Sequence, residues 1–364
     1  MANQTTEASV SKRLKPSHII LPILFGFAGI VWMFCSEFSE IKDAEIPFEK
    51  YLNGYTVLFL FLALLAVAIR DLSGMGRLYL LSEKQLSFHS LFRIRMLYEF
   101  TSAITPSAAG GSTLEMLFIH KEGVKFGKST AITIISLFFD ELFFVIGFPI
   151  LLLILPIDLL FAVEGTFSAA ILSVFAIAYL SKVAWLVVLF IGIFIKPSTI
   201  SWIIQKVFSL RILKRWRIGA YRTAIDVKEC SRNMRHKSIV FWLKNLGYSV
   251  LMWVSRFTVV NFLIMAFNQS TESLMSFTTQ FLILGCQLVL MVVMLVAPTP
   301  GASGFIEVLF NSYLGEFIPK GIVLLLITAI WRILTYYNYL LIGAVLAPRW
   351  INRNYSKKKK SVTK

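Results

Sequence analysis

Charge is scarce in this sequence, and so is cysteine. Only 15% of the 364 residues are charged, against 57% that are hydrophobic, whereas a soluble domain carries about a quarter charged residues. The three cysteines, Cys35, Cys230 and Cys286, lie far apart and give neither a disulfide framework nor a metal-ligand spacing. The four histidines, His18, His89, His120 and His236, are just as scattered. No His-Glu-x-x-His, Gly-x-Ser-x-Gly or Cys-x-x-Cys occurs. These absences exclude a secreted disulfide scaffold and leave nothing that predicts a metal, a cofactor or a common hydrolase. Period-two alternation is missing too, which excludes an outer-membrane barrel.

What the chain has instead is long apolar blocks, each near the 20 or so residues needed to cross a bilayer. The clear ones run over about 18–35, 52–70, 129–155, 168–195, 239–267, 274–297 and 321–346. The first, Ile19–Phe34, follows Lys12, Arg13 and Lys15 like a signal peptide but has no small-residue cleavage site, so it reads as an uncleaved span. Both ends of the chain are basic and read as cytoplasmic, which requires an even number of crossings. The hidden eighth is assigned to Gly301–Ile318. Residues 71–98, where Leu78, Leu80, Leu81 and Phe88 mix with Arg77, Glu83, Lys84 and Arg93, read as an interfacial amphipathic stretch. The expectation is an all-α, polytopic helical membrane protein of about eight transmembrane helices forming one membrane domain over 1–364.

The net charge of +16 is concentrated. Lys196–Lys237 holds 11 Lys/Arg and 2 Asp/Glu, and Arg349–Lys364 holds 7 basic residues and no acid, which together make up the whole excess. Basic segments flanking apolar spans mark cytoplasmic loops, and neither reads as a nucleic-acid surface. Glu37–Lys50, with five acids and two lysines, belongs outside. The organisation is then an N-terminal half, 1–195, a basic amphipathic linker, 196–238, a C-terminal half, 239–348, and a basic tail, 349–364. The linker, with Trp202 and Trp216, and the Lys357–Lys360 tail suit anionic lipid headgroups.

A weak internal repeat carries the most information. Thr105-Pro106-Ser107-Ala108-Ala109-Gly110-Gly111-Ser112-Thr113-Leu114-Glu115 precedes one long span, and Thr299-Pro300-Gly301-Ala302-Ser303-Gly304-Phe305-Ile306-Glu307 precedes the last. Each is Thr-Pro, small residues, then Glu, and Asp140 and Arg332 both follow 25 residues after that Glu. The broken elements span 101–123 and 297–318. Two such interruptions in corresponding positions point to a transporter's midplane site, where a restarted helix offers free N–H groups and its positive dipole end to an anion. Asp140, Glu141, Lys182, Arg256 and Arg332 lie inside apolar spans, where an isolated charge costs at least about 2.5–3.5 kcal/mol. They are expected either to share a polar cavity or to form structural pairs such as Asp140–Arg332. The candidate headgroup site is therefore Pro106, Gly110, Gly111, Glu115, Asp140, Glu141, Lys182, Arg256, Pro298, Pro300, Gly301, Gly304, Glu307 and Arg332. The P-loop-like Gly123–Thr130 has three rather than four residues between its glycines and reads as an ordinary helix start.

The stretch from Ile104 through Glu122-Gly123, followed by Asp140-Glu141, resembles the first hallmark of the lysylphosphatidylglycerol synthase transmembrane-domain family. Ala297-Pro298-Thr299-Pro300-Gly301, then Gly304-Phe305-Ile306-Glu307 and Arg332, resembles the second, with Ala302-Ser303 where relatives more often have Gly and an apolar residue. The resemblance covers nearly the whole chain up to Ala347. It implies a prokaryotic, flippase-like protein of the cytoplasmic membrane with both termini inside. About 18 residues follow Leu346, so the aminoacyltransferase domain of the bifunctional relatives is not expected, and neither is their synthase activity. The expected partner is a membrane lipid, anionic or glycosylated, with lipid- or glycan-synthesis enzymes acting in trans. An enzyme acting on a polyprenyl-phosphate sugar, with Glu115 or Glu307 as base, and a non-catalytic scaffold for envelope synthesis stay open as alternatives.

Overall fold

The computed structural model describes residues 53–105, 109–161, 166–196, 198–209, 228–229, 232–268, 272–294, 305–319 and 321–355. The expected first span at about 18–35 lies outside them, as do the tail beyond 355 and about half of the basic linker, chiefly 210–227. The described residues are helical and contain no strand.

Helix α1, Gly54–Leu81, starts where Asn53 accepts the Thr56 N–H at 2.9 Å. It does not stop at residue 70. Arg70, Ser73 and Arg77 are buried along its second half. A turn with Glu83 and Lys84 in the left-handed region (φ 57° and 62°) leads to α2, Phe88–Ile104, and then α3, Ala109–Lys121. Ser90 and Arg93 at the start of α2 donate to Glu122, just past the end of α3, each at 2.7 Å. With 17 and 13 residues, these arms reach about 25 and 20 Å, short of the roughly 30 Å hydrocarbon core. They form a hairpin that goes in and comes back on the same face. Residues 71–98, expected at the interface, are thus the end of α1, a turn and an inward-going arm. Asp71, Arg77 and Arg95 among them are paired inside the protein, while Glu83 and Lys84 stay exposed at the turn.

Helix α4, Phe126–Ile154, begins on that face, held by Lys128 to Glu83 at 2.6 Å. Glu83 also meets Lys237, and hydrogen bonds from Lys128 and Lys237 hold its carboxyl below the usual range. Ser129 and Thr130 sit in the first turn of α4 with their hydroxyls donating to Lys125 and Phe126 carbonyls, both at 3.0 Å, so the P-loop-like stretch is a helix start. Helix α5, Thr166–Phe190, continues through a π turn to Ile195, and α6, Ser198–Ser209, follows. Helix α7, Ile239–Phe267, is capped by Ser238. It lies antiparallel against α1 in the most extensive helix contact of the fold, with Thr56 Oγ1 donating to the Ala266 carbonyl at 3.0 Å.

The C-terminal half inverts the arrangement. Helix α8, Phe277–Val293, and helix α9, Phe305–Leu314, start and finish beside the end of α7, where Asn268 Nδ2 donates to the Phe317 carbonyl at 2.9 Å. That is the opposite face from Glu83. Ten residues in α9 reach only about 15 Å, so 274–297 and 301–318, expected as two crossings, are the two arms of a second hairpin. Helix α10, Ile322–Arg332, passes through a π turn, Ile333–Tyr337, into α11, Asn338–Tyr355, and returns to the first face, where Trp350 packs edge-on to Phe118. Among the described residues five helices are long and apolar enough to cross: α1, α4, Ile171–Ile195, α7 and Ile322–Asn354. The repeat is therefore real in three dimensions and inverted: hairpin then crossing, twice, from opposite faces.

Large apolar side chains such as Leu58, Phe61, Leu153, Ile177 and Leu341 point outward, as a lipid-facing surface requires. Gly343 of α11 lies so close beneath the Phe100 side chain of α2 that an added Cβ would collide with it. Gly343→Ala should therefore loosen the α2–α11 contact, costing about 1–3 kcal/mol as an overpacked core does. A melting temperature in detergent equal to wild type would contradict this.

Candidate functional site

Arg70, Asp140 and Arg256 lie near the middle of α1, α4 and α7 respectively. They line one cavity of about 260 Å³. The tips of both hairpins reach it, the first through Ser102 and Thr105, the second through Met294 and Ile306. Its wall carries five arginines, Arg70, Arg77, Arg95, Arg256 and Arg332, with Glu99, Asp140 and the aromatic residues Tyr98, Trp253, Trp331, Tyr336 and Tyr339.

Four of these arginines are committed. Glu99 Oε1 takes Arg70 Nη2 at 2.9 Å and Arg95 Nη2 at 2.6 Å. Asp71 Oδ1 meets Arg70 Nε at 3.4 Å and Arg95 Nε at 3.2 Å, while Tyr339 donates its hydroxyl to Asp71 Oδ2 at 2.6 Å. Gly74 leaves room for this: the Arg95 guanidinium lies 3.0 Å from where a Cβ would stand. Arg77 clasps Asp140 through both its Nη atoms, at 2.5 and 3.2 Å, and also donates to Ser249 Oγ; Trp253 Nε1 donates to the same carboxylate at 3.0 Å. Such two-pronged Arg–carboxylate pairs are the strong, directional kind. Arg332 Nε lies 2.8 Å from Glu307 Oε1, fully buried, and its guanidinium sits 4.1 Å over the Tyr336 ring.

Arg256 differs. It makes no ion pair or hydrogen bond among the described residues, and its guanidinium rests 5.6 Å from the Trp253 ring centre. A second polar patch, in which Gln287 donates to Asn261 and Asn261 to Gln280, adjoins it through Gln287. Neutral donors and acceptors of this kind suit hydroxyls better than charge.

The expected site residues divide accordingly. Asp140, Arg256 and Arg332 come together around the cavity, with Glu307 behind Arg332. Asp140 pairs with Arg77, not with Arg332. Glu141 and Lys182 pair with each other at 2.8 Å, away from the cavity lining, with Lys182 over the Phe144 ring. Glu115 on α3 faces Arg77 and Asp140 from outside the lining. Gly111 allows the hairpin arms to touch, since a Cβ there would strike Ser102 Oγ. Gly110 lies in α3, and Pro106, Pro298, Pro300, Gly301 and Gly304 fall outside the described residues. Sequence reasoning missed Arg70, Asp71, Arg77, Arg95 and Glu99. Their signal was the helical spacing: Arg70 and Arg77 stand seven apart, and Arg95 and Glu99 four apart.

The description "Lysylphosphatidylglycerol synthase TM region" matches residues 19–343. The chain belongs to this family. A UPF0104 membrane protein of Archaeoglobus fulgidus is 27% identical over 266 residues, which cover 71% of this chain and 75% of that protein. No solved structure matches. The protein is a multi-pass helical membrane protein of this family, and the matched region contains both hairpins and every charged residue of the cavity.

Proposed function

We propose that the protein is a flippase-like transporter that moves an anionic or glycosylated lipid across the cytoplasmic membrane, with both termini on the cytoplasmic side. The observation that carries this reading is Arg256, a cation with no counter-ion among the described residues, in a cavity where the other four arginines are paired. A permanent positive charge left unpaired in a low-dielectric interior is costly, and a phosphate would relieve that cost. The cavity, at about 260 Å³, falls just below the roughly 300–1,000 Å³ of drug-sized ligand sites, so it suits a headgroup whose acyl chains stay outside among apolar helices. Two hairpins entering from opposite faces to one cavity support alternating access. The basic linker end at Lys237 and the start of the tail at Trp350 lie on the face of Glu83, which supports placing that face in the cytoplasm. The ligand leaves unaltered, so neither a cofactor nor a metal is part of this reading.

The test is mass spectrometry of lipids retained when wild type and Arg256→Gln are extracted into native nanodiscs. An anionic or glycosylated lipid enriched at least tenfold over bulk in wild type should fall to the bulk level in the folded variant; tenfold corresponds to about 1.4 kcal/mol. The same lipids in the same amounts from both proteins would remove Arg256 from the site.

A further inference from the structure

The charges around the cavity do not close into pairs. Asp71, Glu99, Asp140 and Glu307 each hold an ion pair with one or two of Arg70, Arg77, Arg95 and Arg332. Among the described residues of this group one cation and one acid are left over, and they are not bonded to each other. The cation is Arg256, which faces the cavity. The acid is Glu115 on α3, which has no ion pair among the described residues. The groups that face it are Arg77 from α1, Arg95 and Tyr98 from α2, and Asp140 and Thr133 from α4. Arg77 is already clasped by both oxygens of Asp140, so Glu115 shares that cation at second hand and lies beside a like charge.

With Glu115 ionised, five arginines face five carboxylates and the group is neutral. A lipid phosphate set against Arg256 then brings one uncompensated negative charge into an interior of low dielectric, where such a charge is expensive. A proton taken up by Glu115 cancels it. Glu115 is the acid that can give up its charge without breaking an ion pair, and its protonation also removes the repulsion of Asp140. We propose that an anionic headgroup binds at Arg256 together with one proton that goes to the Glu115 carboxylate, so that lipid movement is coupled to the proton gradient. The step transfers a proton from water to a Glu115 oxygen and changes no other bond. It rests on the lipid-transport reading above and adds its energy source. By linkage, the proton strengthens lipid binding by the same factor that the lipid strengthens proton binding.

The experiment is isothermal calorimetry of full-length protein in nanodiscs of zwitterionic phosphatidylcholine. Short-chain phosphatidylglycerol is the probe, because its phosphodiester keeps its charge between pH 5.5 and 8.5. Repeating the titration in buffers of different ionisation enthalpy counts the protons taken up. Wild type should take up about one proton per lipid, with affinity falling by as much as about tenfold per pH unit once Glu115 ionises. Glu115→Gln should bind with no proton uptake and an affinity independent of pH, whereas Glu115→Asp should restore uptake, which separates titration from a folding effect. Lipid binding in wild type without proton uptake, or uptake unchanged in Glu115→Gln, would overturn the coupling and leave the lipid site intact. Binding by Arg256→Gln equal to wild type would overturn the site itself and, with it, Arg256 as the partner of the proton.

Discussion

Glu99→Ala is expected to leave almost no folded protein in the membrane. Glu99 is 8% exposed and holds Arg70 and Arg95 on one carboxylate oxygen, at 2.9 and 2.6 Å, closer than Asp71 does. Without it, two buried guanidiniums, Arg70 itself at 0% exposure, must share Asp71, whose nearer oxygen lies 3.2 and 3.4 Å from them. Arg256 faces the same cavity and adds a third positive charge. Removing one partner of a buried pair costs about 3–5 kcal/mol, and here one deletion strands two cations. Against a total stability of about 5–15 kcal/mol for ordinary domains, that loss is close to the whole. Glu99→Gln keeps the shape and one acceptor oxygen, so it should retain more protein than Glu99→Ala but less than wild type. The readout is the yield of monodisperse protein and its melting temperature in detergent. Wild-type values for Glu99→Ala would mean that Asp71 alone neutralises both arginines.

The parts of this architecture that could be read from the sequence are those decided within one window. The sequence predicts a span over 239–267 and helix α7 occupies Ile239–Phe267, because Ser238 and Asn268 bracket a run that is apolar except for a few residues such as Lys244 and Arg256. Helix α4 differs from its expected bounds by a few residues for the same reason. Ionisable residues inside apolar spans also declare themselves, and that is how Asp140, Arg256 and Arg332 were placed at the site. Partnership could not be read. Arg70, Asp71 and Arg77 look like a helix leaving the bilayer until Glu99 and Asp140, which are far along the chain, are set opposite them. Lys182 and Glu141 carry the same signal as the cavity residues, yet they satisfy each other elsewhere. The second hairpin reads as two crossings because 274–297 is a long apolar run and two basic ends require an even count, which 301–318 is taken to complete. Only the closeness of Phe317 to Asn268 shows that the chain turns back.

Arg332→Ala is the substitution that the sequence alone would suggest for abolishing transport, and the structure gives it a different outcome. Glu307 is fully buried and Arg332 is 3% exposed, at 2.8 Å from one another. Alanine would leave the Glu307 carboxylate in the interior without its cation, and would also remove the guanidinium from over the Tyr336 ring. A loss of about 3–5 kcal/mol follows, so absent lipid movement would report lost structure rather than a lost headgroup contact. The double replacement Glu307→Leu with Arg332→Met separates the two. It removes both charges while keeping similar bulk, an exchange that is often neutral or stabilising in buried pairs. Thermal melting should place Arg332→Ala far below wild type and the double variant near it. If the refolded double variant still moves lipid in a vesicle assay, the Arg332–Glu307 pair joins α10 to the second hairpin and Arg256 alone carries the anion. If the double variant is stable but inactive, Arg332 shares the headgroup with Arg256. Equal melting of Arg332→Ala and wild type would mean that the other surroundings of Glu307, or a proton, suffice to hold its carboxyl, and the pair would then contribute nothing to the fold.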